Sequence, residues 1–378
     1  MIRSSIKIKH VFGENVVAIV ERLDHNLNQK GISADEICKK ILTKELSDDE
    51  VYHLKCFYAR MERIGYEARL STPPIVTEPF MQDLLRRYYL VEDLGTFENV
   101  LDEWNQVVQK ARAEGGVNDS LVDSSLKSLE VVRKVAMLYN DHWETRRKAE
   151  LALIADDLQR ALIDLQNPME KVERVLRGHI GFKEIDYYIV DNKFPSCSAR
   201  RWGGQRWIVG WSDPPEMAVP EVVIQVVSDE VSHWILEEPF TDERRSELAE
   251  RLREDLEKLG SKFQAIYSDP QRLLQGVNGA GMVLMEGYGH AFMGFPWMRD
   301  EIPVELPTPR EMGRRDTLYA ESFHFTRWFH DHWKEFLDDP IINAKDWAWQ
   351  CVNENVTKFI EIAVKFLERG TIYEHQID

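Results

Sequence analysis

Apolar residues recur at helical spacing through most of residues 14–178. Positions three and four apart in a helix share one face, so this spacing predicts a series of amphipathic helices. Gly31 and the segments 71–74 and 115–119, which are rich in residues that favour turns, interrupt the pattern. The predicted helical segments are 16–27, 48–64, 79–89, 101–113 and, with breaks, 121–176. This part of the chain is therefore predicted to be helical almost throughout.

The pattern changes after Gly178. Two short runs, 185–190 and 206–211, are rich in β-branched and aromatic residues and are bounded by Asn, Pro and Gly. They predict strands, with Gly203-Gly204 as a hairpin turn before the second run. Further helices are predicted from Pro220 onward, over 244–263, after Gly281, and over 316–337 and 344–367. The sequence thus predicts a boundary near residue 178, between an α-helical domain over 1–178 and a mixed, mostly helical domain over 179–378.

Charge and cysteine content narrow the possible partners. The chain has 65 acidic and 48 basic residues and a formal net charge of −17, which argues against binding to nucleic acids or anionic membranes. No apolar run approaches the roughly 20 residues that span a bilayer, and the first ten residues do not resemble a signal peptide. The four cysteines are scattered, at Cys38, Cys56, Cys197 and Cys351. We therefore expect reduced cysteines and a cytoplasmic protein.

Five ionisable residues stand inside apolar helical stretches of the second half. They are Asp229, Glu230 and His233 in one stretch and Glu286 and His290 in another. An isolated buried charge costs many kcal/mol, so such groups must be paired, hydrogen-bonded or bound to metal. Asp229 and His233 are four residues apart and share a helical face, as do Glu286 and His290. Two such helices can bring carboxylates and imidazoles to one point, which predicts a metal site.

The order of these elements resembles the gluzincin group of zinc metallopeptidases. In that family one helix carries His-Glu-x-x-His, and a later helix carries the third ligand in a Glu-Gly-x-Ala-like context. Segment 230–233, Glu-Val-Ser-His, matches the last four residues of the first motif, and segment 285–291, Met-Glu-Gly-Tyr-Gly-His-Ala, is similar to the second. The resemblance implies zinc held by His233 and Glu286. It also implies a water whose pKa the zinc lowers to about 7 and which Glu230 deprotonates.

Asp229 stands where the family motif has its first histidine. Aspartate is an allowed zinc ligand, so the resemblance implies Asp229 as a possible third ligand, with His290 as an alternative nitrogen donor. In the family a His or Tyr from a downstream helix stabilises the oxyanion of the tetrahedral intermediate, which implies His324 or Tyr319 here. The implied reaction is hydrolysis of a peptide or small amide substrate.

A second interpretation uses some of the same residues. Glu-x-x-His occurs at Glu230/His233 and again at Glu321/His324. Ferritin-like di-iron carboxylate proteins take this motif from each of two helices and one Glu from each of two others, and Glu286 would be one of these. This alternative predicts two iron ions and an oxidase or oxygenase. Its remaining Glu would be expected about 30 residues before Glu230, in the segment predicted as strand.

A third interpretation needs no metal. In it, the helix over 229–233 turns a polar edge to solvent or to the helix over 244–263. The chain would then be a catalytically inactive, zincin-like interaction protein, and its N-terminal helices would bind a protein partner. The fold expectation that goes with the metallopeptidase interpretation is mainly α (α+β), with a helical N-terminal domain and a zincin-like C-terminal domain that contains a small β-sheet. Helices at Tyr187 and Trp207 in place of strands would favour the di-iron alternative instead.

Overall fold

The structure is a computed structural model, and the fold is mainly α with one small four-stranded sheet, as the sequence predicts. The structure describes residues 5–26, 45–54, 57, 60–61, 64–65, 68, 74–115, 117–163, 173–179, 184–190, 198–211, 220–291 and 318–369. Within that part of the chain, no helix is long and apolar enough to cross a membrane.

The chain divides into two compact units. The sheet unit consists of residues 5–165 and 184–223 with the last two residues, and the helical unit consists of residues 1–4, 166–183 and 224–376. The strands after residue 184, which the sequence analysis grouped with the C-terminal half, share a unit with the N-terminal helices. The predicted boundary near residue 178 stays a prediction.

Besides the helical residues described between 57 and 68, the sheet unit contains six α-helices in its described part. They are α1 (Phe12–Asn26), α2 (Asp48–Leu54), α3 (Glu78–Leu90), α4 (Leu94–Ala113), α5 (Asp119–His142) and α6 (Lys148–Ile163), with a π-helical turn at Trp143–Arg147. The side chains of Thr77, Asp93 and Asn118 accept hydrogen bonds from backbone N–H groups at the starts of α3, α4 and α5. These caps satisfy donors that a helix start leaves without intrahelical partners. The helical character predicted for this region is confirmed in its described part.

The sheet has the order β1-β2-β4-β3. Its strands are β1 (Ser5–Lys9), β2 (Glu184–Val190), β3 (Ser198–Trp202) and β4 (Gln205–Trp211). β1 and β4 both pair in parallel with β2, and β3 pairs antiparallel with β4. The β3–β4 turn is Gly203-Gly204, with φ of 55° and 76°, and positive φ at both positions is what a two-residue hairpin turn of type I′ requires. The predicted strands and hairpin are confirmed.

A glutamine side chain bonds to the edge strand β1. The Ile8 N–H donates a hydrogen bond to Oε1 of Gln159, and Nε2 of Gln159 donates one to the Ile6 carbonyl. The donor–acceptor distance is 3.0 Å in both. The Gln159 amide thus makes the pair of bonds that a neighbouring strand would make. Such coverage protects an edge strand from pairing with another chain.

The helical unit is built around one long helix. Its elements are most of α7 (Pro220–Ile235), α8 (Asp242–Leu259), α9 (Gln264–Tyr267), α10 (Pro270–Ala291), α11 (Ser322–Asp331), α12 (Trp333–Asp338), α13 (Ala344–Glu354) and α14 (Val356–Arg369). Helix α10 packs against α8, α11 and α14. It approaches them closely because several of its buried residues are glycines or alanines. Where one helix was predicted over 316–337, the described part contains a 3-10 turn (Leu318–Glu321) and the two helices α11 and α12, separated at His332.

Cys351 is a free, buried cysteine of α13, and burial raises the pKa of its thiol well above the usual value. It is therefore protonated and unreactive at neutral pH, in line with a structural role. Cys38, Cys56 and Cys197 lie outside the described residues.

Candidate metal site

Helix α7 holds three ionisable side chains in an apolar environment. It begins at Pro220 and buries valines and isoleucines along most of its length. Asp229, Glu230 and His233 are only 4%, 7% and 8% exposed. The expectation that this polar edge faces solvent is therefore wrong, because the helix is buried on this side as well.

Helix α10 brings its own ionisable residues to the same place. Nε2 of His233 lies 3.8 Å from Oε2 of Glu286 and 3.7 Å from Oδ1 of Asp229. On the other side of the ring, Nδ1 of His233 lies 3.5 Å from Oε2 of Glu230. The His290 ring, 6% exposed, stands edge-on to the His233 ring with centroids 6.2 Å apart. The structure thus brings together all five residues that the motifs single out on these two helices.

The cluster has more carboxylates than positive charges to balance them. No lysine or arginine of the described chain forms an ion pair with Asp229, Glu230 or Glu286, whose ionic contacts are all with His233. Burial alone would lower the pKa of His233, but Glu286 and Asp229 outweigh it and the pKa is raised. Burial raises the pKa of Asp229, against the pull of His233. Two buried carboxyl groups and that of Glu286, which is 12% exposed, therefore surround one imidazole and form an electrostatic environment that favours an additional cation.

The donor atoms are of the types that bind zinc, but they lie farther apart than the ligands of a zinc ion. Oδ1 of Asp229 and Nε2 of His233 are buried and have no hydrogen-bond partner among the described residues. Tetrahedral zinc with bonds of about 2.0–2.2 Å keeps its ligand atoms about 3.3–3.6 Å apart, slightly less than the 3.7 and 3.8 Å found here. As they stand, no three His, Cys, Asp or Glu side chains of the described chain converge closely enough to hold a metal ion. Binding would therefore require the side chains of Asp229 and Glu286 to move closer to Nε2 of His233.

The second Glu-x-x-His motif lies in a different setting. Both carboxylate oxygens of Glu321 form salt bridges with lysines. Oε2 lies 2.7 Å from Nζ of Lys358, and Oε1 lies 2.6 Å from Nζ of Lys365. Burial would raise the pKa of Glu321, but the two lysines lower it, so the carboxylate is ionised and already neutralised. These contacts favour a structural role for Glu321, joining the start of α11 to α14.

His324 is exposed, and its Nε2 lies 2.7 Å from Oδ1 of Asn355. This contact does not join it to the cluster around His233. The Tyr319 side chain lies outside the described residues, so both assignments to oxyanion stabilisation stay predictions. Nearby Trp328 and Trp333 are buried in an aromatic cluster with Trp347.

One contributor to the site carries no functional group and was missed by motif analysis. A Cβ atom on Gly289 would lie 1.9 Å from Nε2 of His233. The sequence offered a signal in the two glycines of the segment Glu286-Gly287-Tyr288-Gly289-His290, but spacing alone does not say which neighbouring helix each glycine admits.

Comparison with known proteins gave no match to any protein-family model, curated protein or solved structure.

Proposed function

We propose that the protein is a metal-dependent hydrolase acting on peptide or amide bonds, with its centre at the cluster of Asp229, Glu230, His233 and Glu286. The observation that carries the proposal is the concentration around one imidazole of three carboxyl groups, whose side chains are at most 12% exposed, without lysine or arginine partners in the described chain. A divalent cation would balance this charge and satisfy the two buried donor atoms that lack hydrogen bonds. The gluzincin-like order of the motifs supports zinc as that cation.

Each side chain has a task in this proposal. Nε2 of His233, Oε2 of Glu286 and Oδ1 of Asp229 would hold the ion, and His290 flanks them as a further nitrogen donor. A bound zinc ion would supply Lewis acidity and make water a nucleophile near neutral pH. By its place in the motif, Glu230 would be the base that takes a proton from the attacking water. Its Oε2 also lies near Nδ1 of His233, where a carboxylate fixes the orientation of a ligating imidazole.

No specific observation favours the di-iron alternative, since Glu321 is paired with two lysines. The following experiment distinguishes the zinc hydrolase from the di-iron protein and from the inactive interaction protein.

Elemental analysis of the purified protein, with and without prior incubation with Zn²⁺, tests the proposal. We expect about one zinc per chain in the wild type. Glu286→Ala should bind no zinc, because it removes one of three ligands and leaves His233 with a weaker site. Glu321→Ala is the matched control, because it also removes a half-buried glutamate of the helical unit, and it should retain zinc.

About two irons per chain, lost in both variants, would establish the di-iron interpretation instead. A wild-type protein that takes up neither zinc nor iron would overturn the proposal in favour of an interaction protein.

A further inference from the structure

Two glycines of α10 face different neighbours. A Cβ on Gly287 would lie 2.7 Å from both the Phe325 Cβ and the Ser322 carbonyl oxygen at the start of α11. A Cβ on Gly289 would lie 1.9 Å from Nε2 and 2.2 Å from Cδ2 of His233, and 3.0 Å from Oδ1 of Asp229. One turn of α10 is therefore enclosed by α11 on one side and by the site residues of α7 on another.

The contact at Gly289 leaves no room for any side chain. Heavy atoms that are not bonded do not approach to 1.9 Å, so a methyl group there would force the imidazole of His233 away from α10. The ring has little space to move, because it is buried and its other nitrogen faces Glu230. Displacement would also separate Nε2 from Glu286, which lies one turn before Gly289 on the same helix.

Glycine in a helix interior is less favourable than alanine, so its presence at this position calls for a compensating contact. The imidazole of His233 is that contact. We infer that Gly289 is a positioning residue: its missing side chain lets His233 lie against the backbone of α10, with Nε2 within reach of Glu286 and Asp229. The part of this inference that concerns metal binding rests on the proposed function.

Gly289→Ala tests the inference, with Gly281→Ala as the matched control. Both substitutions place the same methyl group in the same buried helix, but a Cβ on Gly281 would meet only ordinary contacts, 3.4 Å from Phe240 and 3.6 Å from Pro239. Measured by calorimetric titration with Zn²⁺, Gly289→Ala should bind at least about tenfold more weakly than the wild type, a loss of about 1.4 kcal/mol. Gly281→Ala should stay within about threefold of the wild type.

Substitution with cobalt adds a readout that a purely structural role would not change. Residual Co²⁺ bound by Gly289→Ala should show an altered visible spectrum, because His233 no longer ligates in the same way. The spectrum of Gly281→Ala should match that of the wild type. Equal zinc affinity and identical cobalt spectra in both variants would overturn the metal-positioning role.

A second arm needs no metal. In the metal-free protein, Gly289→Ala should lower the midpoint temperature of thermal unfolding relative to the wild type. In a His233→Ala background, where the ring is gone, the same substitution should lower the midpoint little or not at all. The same lowering in both backgrounds would show that the methyl group meets something other than His233, and the inference would fall. If the wild type binds no metal, the proposed function fails, while this arm still decides whether Gly289 positions His233.

Discussion

Under the proposed function, replacing Glu230 by glutamine is expected to lower the turnover number by about 10²–10⁴-fold while leaving zinc bound, because the side chain loses its capacity to take a proton. Glutamine keeps the shape of glutamate. Its amide oxygen can still accept a hydrogen bond from Nδ1 of His233, which lies 3.5 Å from Oε2 in the wild type. The orientation of the imidazole is thereby kept, and only the basicity is removed.

The measurement is hydrolysis of a mixed-sequence library of quenched fluorescent peptides, paired with elemental analysis of each variant. Glu238→Gln is the matched control, since Glu238 is an exposed residue just after the end of α7 and should leave both readouts unchanged. Loss of zinc together with activity in Glu230→Gln would contradict a role as base. Glu230 would then act only by orienting His233, a task whose removal typically costs 10–100-fold in metal affinity.

The convergence of His233 and Glu286 could be predicted because helical spacing fixes which residues share a face. In an apolar helix, an ionisable pair four residues apart must find partners on a neighbouring element. The 3.8 Å between Nε2 and Oε2 confirms that expectation of proximity. The roles assigned to these residues stay predictions.

Other contacts could not be predicted, because spacing specifies a face and not the element that covers it. The five-residue strand β1 pairs in parallel with β2, from Ser5↔Glu184 to Lys9↔Tyr188. No local sequence pattern indicates a pairing partner so distant in sequence. The same limit applies to Glu321, which motif spacing groups with His324. Its actual partners are Lys358 and Lys365, which lie two turns apart on a helix far along the chain.

The sheet unit contains a buried ion pair that sequence patterns also did not indicate. Glu14 of α1 is completely buried, and its Oε1 accepts a 2.6 Å hydrogen bond from Nε1 of Trp207. Nε of Arg200 donates hydrogen bonds to both oxygens of Glu14, at donor–acceptor distances of 3.1 and 3.3 Å. The guanidinium of Arg200 also lies over the Tyr89 ring, 4.3 Å from its centroid. Arg200 and Trp207 are directly paired across β3 and β4, so they project from the same face of the sheet toward one carboxylate.

Glu14→Ala is expected to lower the free energy of unfolding by about 3–5 kcal/mol, because it leaves the charge of Arg200, whose side chain is 10% exposed, and the indole N–H of Trp207 without this acceptor. Urea unfolding followed by tryptophan fluorescence measures the loss. Arg200→Met provides the matched background. Once the cation is gone, Glu14→Ala should lower the free energy of unfolding clearly less than it does in the wild type, and a double-mutant cycle measures this difference. A loss below about 1 kcal/mol in the wild-type background would mean that solvent reaches Arg200 after the substitution. The carboxylate would then hold α1 to the sheet through packing rather than through charge.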